Sequence, residues 1–198
     1  MLSSSKKKFG GILDWAIKPL KRTGISPNQL TLLSLLLAAG YFYAMLSGKY
    51  IAALFLVILS IASDALDGHL ARETKRAGPY GAYLDTIADR YVEFIIFLSF
   101  LFLPLPTLVL APEIWIALCV FGSLMTTYSK AAYSEKTGKS FSGGLLERPE
   151  RTLALIAGII LINLNPIYLL YIIILLAFLT NLSAIHRIYK ALGLCTQR

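Results

Sequence analysis

A chain of 198 residues in which 57% of side chains are hydrophobic and only 15% are charged, with a mean hydropathy of +0.67, carries more apolar side chain than a soluble fold of this size can bury. Disorder, a disulfide scaffold and a coiled coil are excluded on the same figures. The net charge of +8 is clustered between apolar runs, which points to anionic lipid headgroups and away from nucleic acid. Cys119 and Cys195 form neither a metal spacing nor a disulfide framework. One polytopic membrane domain over residues 1–198 fits these facts.

In chain order, Met1 to Lys8 is a Ser/Lys tail. From Phe9 to Arg22, Phe9, Ile12, Leu13, Ala16, Ile17 and Leu20 recur at helical spacing and Lys18, Lys21 and Arg22 follow. This predicts an amphipathic helix lying on the inner membrane surface. No small-residue cleavage site follows the first apolar run, so that run reads as a retained span and not a signal peptide. Ser26 is the expected N-cap of the next helix, with Pro27 at its first position.

Six spans are expected: Leu30 to Leu46; Ile51 to Ala62 with a polar helical end to about Ala71; Gly81 to Leu103; Glu113 to Tyr133; Arg151 to Asn163; and Ile167 to Ala184. Ser47-Gly48-Lys49, Gly78-Pro79, the prolines 104, 106 and 112, Ser142-Gly143-Gly144 and Asn165-Pro166 punctuate them. The class is thus an all-α polytopic membrane protein, six transmembrane helices behind a surface helix. Residues 1–26 form the tail and juxtamembrane helix, 27–186 the core, and 187–198 a cytoplasmic tail. Every basic residue except Lys49 falls on one side of this topology, so both termini are expected to be cytoplasmic in an integral cell-membrane protein. Tyr41, Tyr43, Tyr50, Tyr168 and Tyr171 read as an aromatic belt near the outer ends.

Asp64 and Asp67 are i, i+3 and share a helix face, as do Asp85 and Asp89 at i, i+4. Consecutive helices joined by a short loop are antiparallel neighbours, so the two pairs can converge at one depth. Four bare carboxylates there would repel, so protonation or hard divalent cations must relieve them. Gly68, Ala71 and Gly81 keep the neighbouring groove small, and Arg72 can meet a diphosphate. The bland alternative is interfacial salt bridging of the acids with Arg72, Arg76 and Arg90.

The full spacing is Asp64-x-x-Asp67-Gly68-x-x-Ala71-Arg72, eight residues, then Gly81-x-x-x-Asp85-x-x-x-Asp89. At all of its specified positions it resembles the signature of the CDP-alcohol phosphatidyltransferase family, and Pro27-Asn28-x-x-Thr31 opening the first span extends the likeness. The resemblance implies transfer of a substituted phosphoryl group from a CDP-linked donor to an alcohol, with CMP leaving. It further implies two divalent cations, magnesium or manganese, held by Asp64, Asp67, Asp85 and Asp89. Asp89 is then the catalytic base, and Asn28, Thr31, Asp67, Gly68, Ala71, Arg72 and Gly81 bind the donor. A homodimer is implied by the resemblance alone.

For the acceptor, Lys130, Arg148, Arg151 and Arg187 lie at three helix ends and are able to hold a phosphate dianion, or else to anchor topology by snorkelling. Lys130 followed by Gly143-Gly144-Leu-Leu-Glu-Arg-Pro-Glu-Arg151 and then Arg187 resembles the phosphatidylinositol-phosphate and archaetidylinositol-phosphate synthase branch. This implies inositol 1-phosphate as acceptor and CDP-diacylglycerol or CDP-archaeol as donor. A glycerol-phosphate acceptor and a CDP-inositol donor remain alternatives within the family. A cation transporter is disfavoured because the acids lie at one interface, with no inverted repeat.

Overall fold

The computed structural model describes residues 17–21, 24–141 and 143–196. Its helices are α1 (Pro27–Leu46), α2 (Tyr50–Glu73), α3 (Pro79–Phe100), α4 (Pro112–Thr137), α5 (Arg148–Leu161) and α6 (Pro166–Thr196), and the described residues contain no strand beyond an isolated bridge at Leu108 and Leu110. Each helix overlaps one expected span. Four of them, α1, α2, α4 and α6, are long and apolar enough to cross a membrane, which marks an integral membrane protein. α3 carries Asp85, Asp89, Arg90 and Glu93 along its length, and α5 has only 14 residues.

The chain divides into two compact units, Met1–Ile96 and Phe97–Arg198. In the first, Ser26 caps α1 through a capping box: its side chain accepts from the Gln29 N–H, and the Gln29 side chain accepts from the Ser26 N–H at 2.8 Å. Pro27 opens the helix, as expected, and Gly48 at φ +68° supplies the turn into α2. The buried stripe of α1 is largely small and polar (Thr31, Ser34, Ala38, Ala44), and it packs against a matching stripe on α2, Ala53, Val57, Ser60 and Ser63. Ser60 Oγ donates to the Ser34 carbonyl at 2.7 Å. Small faces let the backbones approach, while Leu32, Leu36, Phe55 and Leu59 are left exposed. The stripe on α2 continues in register to Asp67 and Leu70, so a carboxylate is buried because its position is.

Residues 17–21 are helical. Ile17 is buried with Leu30 and Leu70, and Lys21 pairs with Glu73 at 2.8 Å. Ile17 therefore spends its apolar surface on the protein. The rest of the expected surface helix, Phe9 to Ala16 and Arg22, lies outside the described residues.

In the second unit α6 packs along α4 and beside α5. Gly122 makes the first contact possible: a Cβ there would lie 2.5 Å from Thr180 Oγ1 and 2.8 Å from the Asn181 main-chain nitrogen. α4 stops at Gly138, φ +66°. One expectation needs correction. Tyr41 is fully buried and belongs to the core of the first unit, whereas Tyr43, Tyr168 and Tyr171 are exposed. Residues 187–196, within the expected tail, are helical and continue α6 without a break, because loss of hydropathy ends a span but not a helix.

Candidate active site

The first unit gathers the acids. Asp64, Asp67 and Asp85 each offer one carboxylate oxygen, and these lie within 4.8 Å of one another. Such an all-oxygen set at that spacing suits magnesium or manganese. Asp89, one turn beyond Asp85 on α3 and partly buried, is outside this triad. Asp67 is 3% exposed and accepts a hydrogen bond from Thr31 Oγ1 at 2.5 Å. Thr31 is equally buried, so α1 orients the carboxylate that α2 supplies. Arg90 pairs with Glu93 at 2.6 Å, which gives it a partner other than the aspartates.

Beside the triad lies a pocket bounded by the start of α1, the end of α2 and the start of α3. Asn28, Thr31, Asp67, Gly68, Ala71, Arg72, Gly81 and Asp85 line it, so the seven positions expected to contact the donor share one pocket. A Cβ at Gly68 or Gly81 would have 3.6 Å to its nearest neighbour, Arg72 Nη1 or Asn28 Oδ1 respectively. These glycines are therefore not forced by packing; they leave the pocket open. Arg76 also lines it. In the sequence Arg76 reads as a topology or ion-pair residue, and helical spacing could not have placed it here, because α2 ends at Glu73 and the backbone turns at Lys75, φ +55°, before Arg76. Gly78 and Ala82 bring the first turn of α3 to the wall, where helix N–H groups favour an anion.

The second unit gathers two of the four expected acceptor residues. Arg151 is 3% exposed, and its Nη1 donates to Thr126 Oγ1 at 3.4 Å. Arg187 Nη1 donates to the Thr126 carbonyl at 2.7 Å. Thr126 was missed in the sequence, where the only signal is its place one turn before Lys130. Lys130 itself is exposed and takes no part in the cluster among the described residues. Arg148 is partly buried in the first turn of α5, where Glu147 and Glu150 form a capping box.

A family model for CDP-alcohol phosphatidyltransferases matches residues 24–183. The chain is 37% identical over 183 residues to the bifunctional IPC transferase and DIPP synthase of Aquifex aeolicus, which covers 87% of this chain but 40% of that protein. It is 30% identical to the archaetidylinositol phosphate synthase of Pyrococcus horikoshii, covering 96% of each. Its fold matches the Mycobacterium tuberculosis phosphatidylinositol phosphate synthase crystallised with CDP-DAG, with a TM-score of 0.77 and 26% identity over 91% of this chain and 93% of that one. That synthase has also been crystallised with manganese and citrate.

Proposed function

Because the chain belongs to the CDP-alcohol phosphatidyltransferase family, we propose that it moves the phosphatidyl-type group of a CDP-linked lipid onto a hydroxyl of inositol 1-phosphate and releases CMP. The observation that carries this reading is the shared pocket: the expected donor residues line one cavity, with two members of the acid triad, Asp67 and Asp85, in its wall. The buried Arg151 and its neighbour Arg187 support an acceptor that bears phosphate.

Each residue then has a physical task. Asp64, Asp67 and Asp85, with Asp89 as a shared ligand, would hold two magnesium or manganese ions. Bound there, the ions supply positive charge against the donor's diphosphate. Gly68 and Ala71 leave room for the cytidine diphosphate along α2, Arg72 and Arg76 offset its charge, and Asn28 and Gly81 close the far wall. Asp89 takes the proton of the acceptor hydroxyl while that oxygen bonds to phosphorus and the bond to the CMP oxygen breaks. Arg151 and Arg187, with Lys130 and Arg148 nearer solvent, hold the acceptor's phosphate.

The same reading treats the chain as one domain with six spans, cytoplasmic termini and a cytoplasm-facing site, since all basic residues but Lys49 fall on one side. The homodimer rests on family likeness. Incubation of the purified protein with CDP-diacylglycerol or CDP-archaeol and labelled inositol 1-phosphate or glycerol 3-phosphate tests the acceptor. Label from inositol phosphate should enter the lipid phase with CMP release. Lipid label from glycerol phosphate alone would overturn the acceptor, and turnover only with CDP-inositol would overturn the lipid donor.

A further inference from the structure

Arg151 on α5 and Arg187 on α6 close on a single residue of α4. Thr126 is 1% exposed, and its hydroxyl donates to the Ser123 carbonyl at 2.7 Å. Its proton is thereby committed, so the oxygen is available as an acceptor, and Arg151 Nη1 donates to it. One peptide unit serves the other arginine, through the Thr126 carbonyl. Both guanidinium groups are thus held by neutral oxygens of one residue.

The loop before α5 also closes on Arg187. A Cβ on Gly144 would lie 2.5 Å from Arg187 Nε, 2.9 Å from Nη2 and 3.1 Å from Cζ. Gly143 has φ +96° and answers a backbone need; Gly144 lies outside the left-handed region, so no turn requires glycine there. Its missing side chain is what lets the loop lie on the guanidinium. Among the described residues Arg187 forms no salt bridge, and its Nε is buried without a hydrogen-bond partner. A cation fixed by carbonyl and glycine, with no carboxylate taking its charge, is prepared for an anion from outside.

We propose that Gly144 and Thr126 are positioning residues that hold Arg187 and Arg151 as a preformed two-guanidinium fork for a phosphate monoester dianion. This rests on the reading that the acceptor carries a phosphate. Gly144 acts by steric permission and Thr126 by orienting donors, and neither touches the reacting atoms.

The test uses the full chain in lipid nanodiscs, measuring KM for inositol 1-phosphate and for the CDP-lipid, together with calorimetric binding of inositol 1-phosphate alone. Gly144→Ala meets the far end of a flexible side chain, so the fold is kept and Arg187 gives way. Acceptor KM and Kd should rise about tenfold, the scale of one loosened charge-assisted contact, with donor KM and Tm unchanged. Thr126→Val removes the hydroxyl at nearly constant shape and should raise acceptor KM several-fold, whereas Thr126→Ser should restore it. Unchanged acceptor affinity in Gly144→Ala, or an equal rise in donor KM, would overturn the proposal. An unmutated chain that does not distinguish inositol 1-phosphate from free inositol would overturn the acceptor reading and this proposal with it, and that result appears before any substitution is made.

Discussion

Three carboxylates within 4.8 Å of one another repel strongly unless protons or cations lie among them, and the residues around them divide the labour. Asp67 is deeply buried and held by Thr31, whereas Asp89 lies outside the triad. Asp67→Asn should therefore lose metal-dependent binding of the CDP-donor. Asp89→Asn should retain measurable donor and metal binding while losing turnover. Titration of both variants with CDP-diacylglycerol, with and without magnesium, separates them; equal loss of donor binding would make Asp89 mainly a ligand. On the basic side, Arg151→Ala removes a charge-assisted contact worth roughly 1.5–3 kcal/mol, or about ten- to a hundredfold in affinity. The loss should appear chiefly as a raised acceptor KM, because the contact is made before and during the transition state alike. An unchanged acceptor KM would return Arg151 to a purely structural role.

Between helices, two glycines that look alike in the sequence do different work. Gly122 is enclosed by Thr180 Oγ1 and the main-chain nitrogen of Asn181, and backbone cannot step aside. Gly122→Ala should push α4 from α6 and cost about 1–3 kcal/mol by overpacking, read as a lowered Tm in detergent. A Cβ on Gly68 would lie 3.6 Å from its nearest neighbour, Arg72 Nη1, an ordinary contact distance with no clash. Gly68→Ala should leave Tm unchanged and raise donor KM, since the added methyl occupies the pocket. Were the two variants to reverse these effects, the packing and pocket assignments would both be wrong.

For the whole molecule, the chemistry and the topology make separate claims. Activity should vanish on exhaustive chelation and return with magnesium or manganese, because the acid triad cannot face a diphosphate without cations between them. Full turnover in chelator would exclude metal dependence. The clustering of basic residues predicts that cysteines introduced at Lys136 and Lys190 react with a membrane-impermeant reagent only from the cytoplasmic side, and one at Lys49 only from outside. Labelling of all three from one side would overturn the six-span reading while leaving the acid cluster untouched.

Features confined to one helix were legible in the residues alone. Ser26 and Pro27 announce the start of α1, Gly48 its turn, and the i, i+3 and i, i+4 aspartates their shared faces, because backbone geometry sets these relations within a few residues. Even the meeting of Asp64 and Asp67 with Asp85 follows from a short loop between neighbouring helices. Contacts between distant helices were not legible. A span that is apolar on every side carries no stripe to say which face turns inward, since lipid and neighbour are equally apolar. Tyr41 therefore read as a belt residue and proved to be core. For the same reason Thr126 gave no sign of joining Arg151 to Arg187, residues 25 and 61 positions away in the chain. Side-chain chemistry and spacing picked out the residues that line the pocket beside the acids; helix packing chose the partners of the buried arginines, because only a folded neighbour can offer them an acceptor.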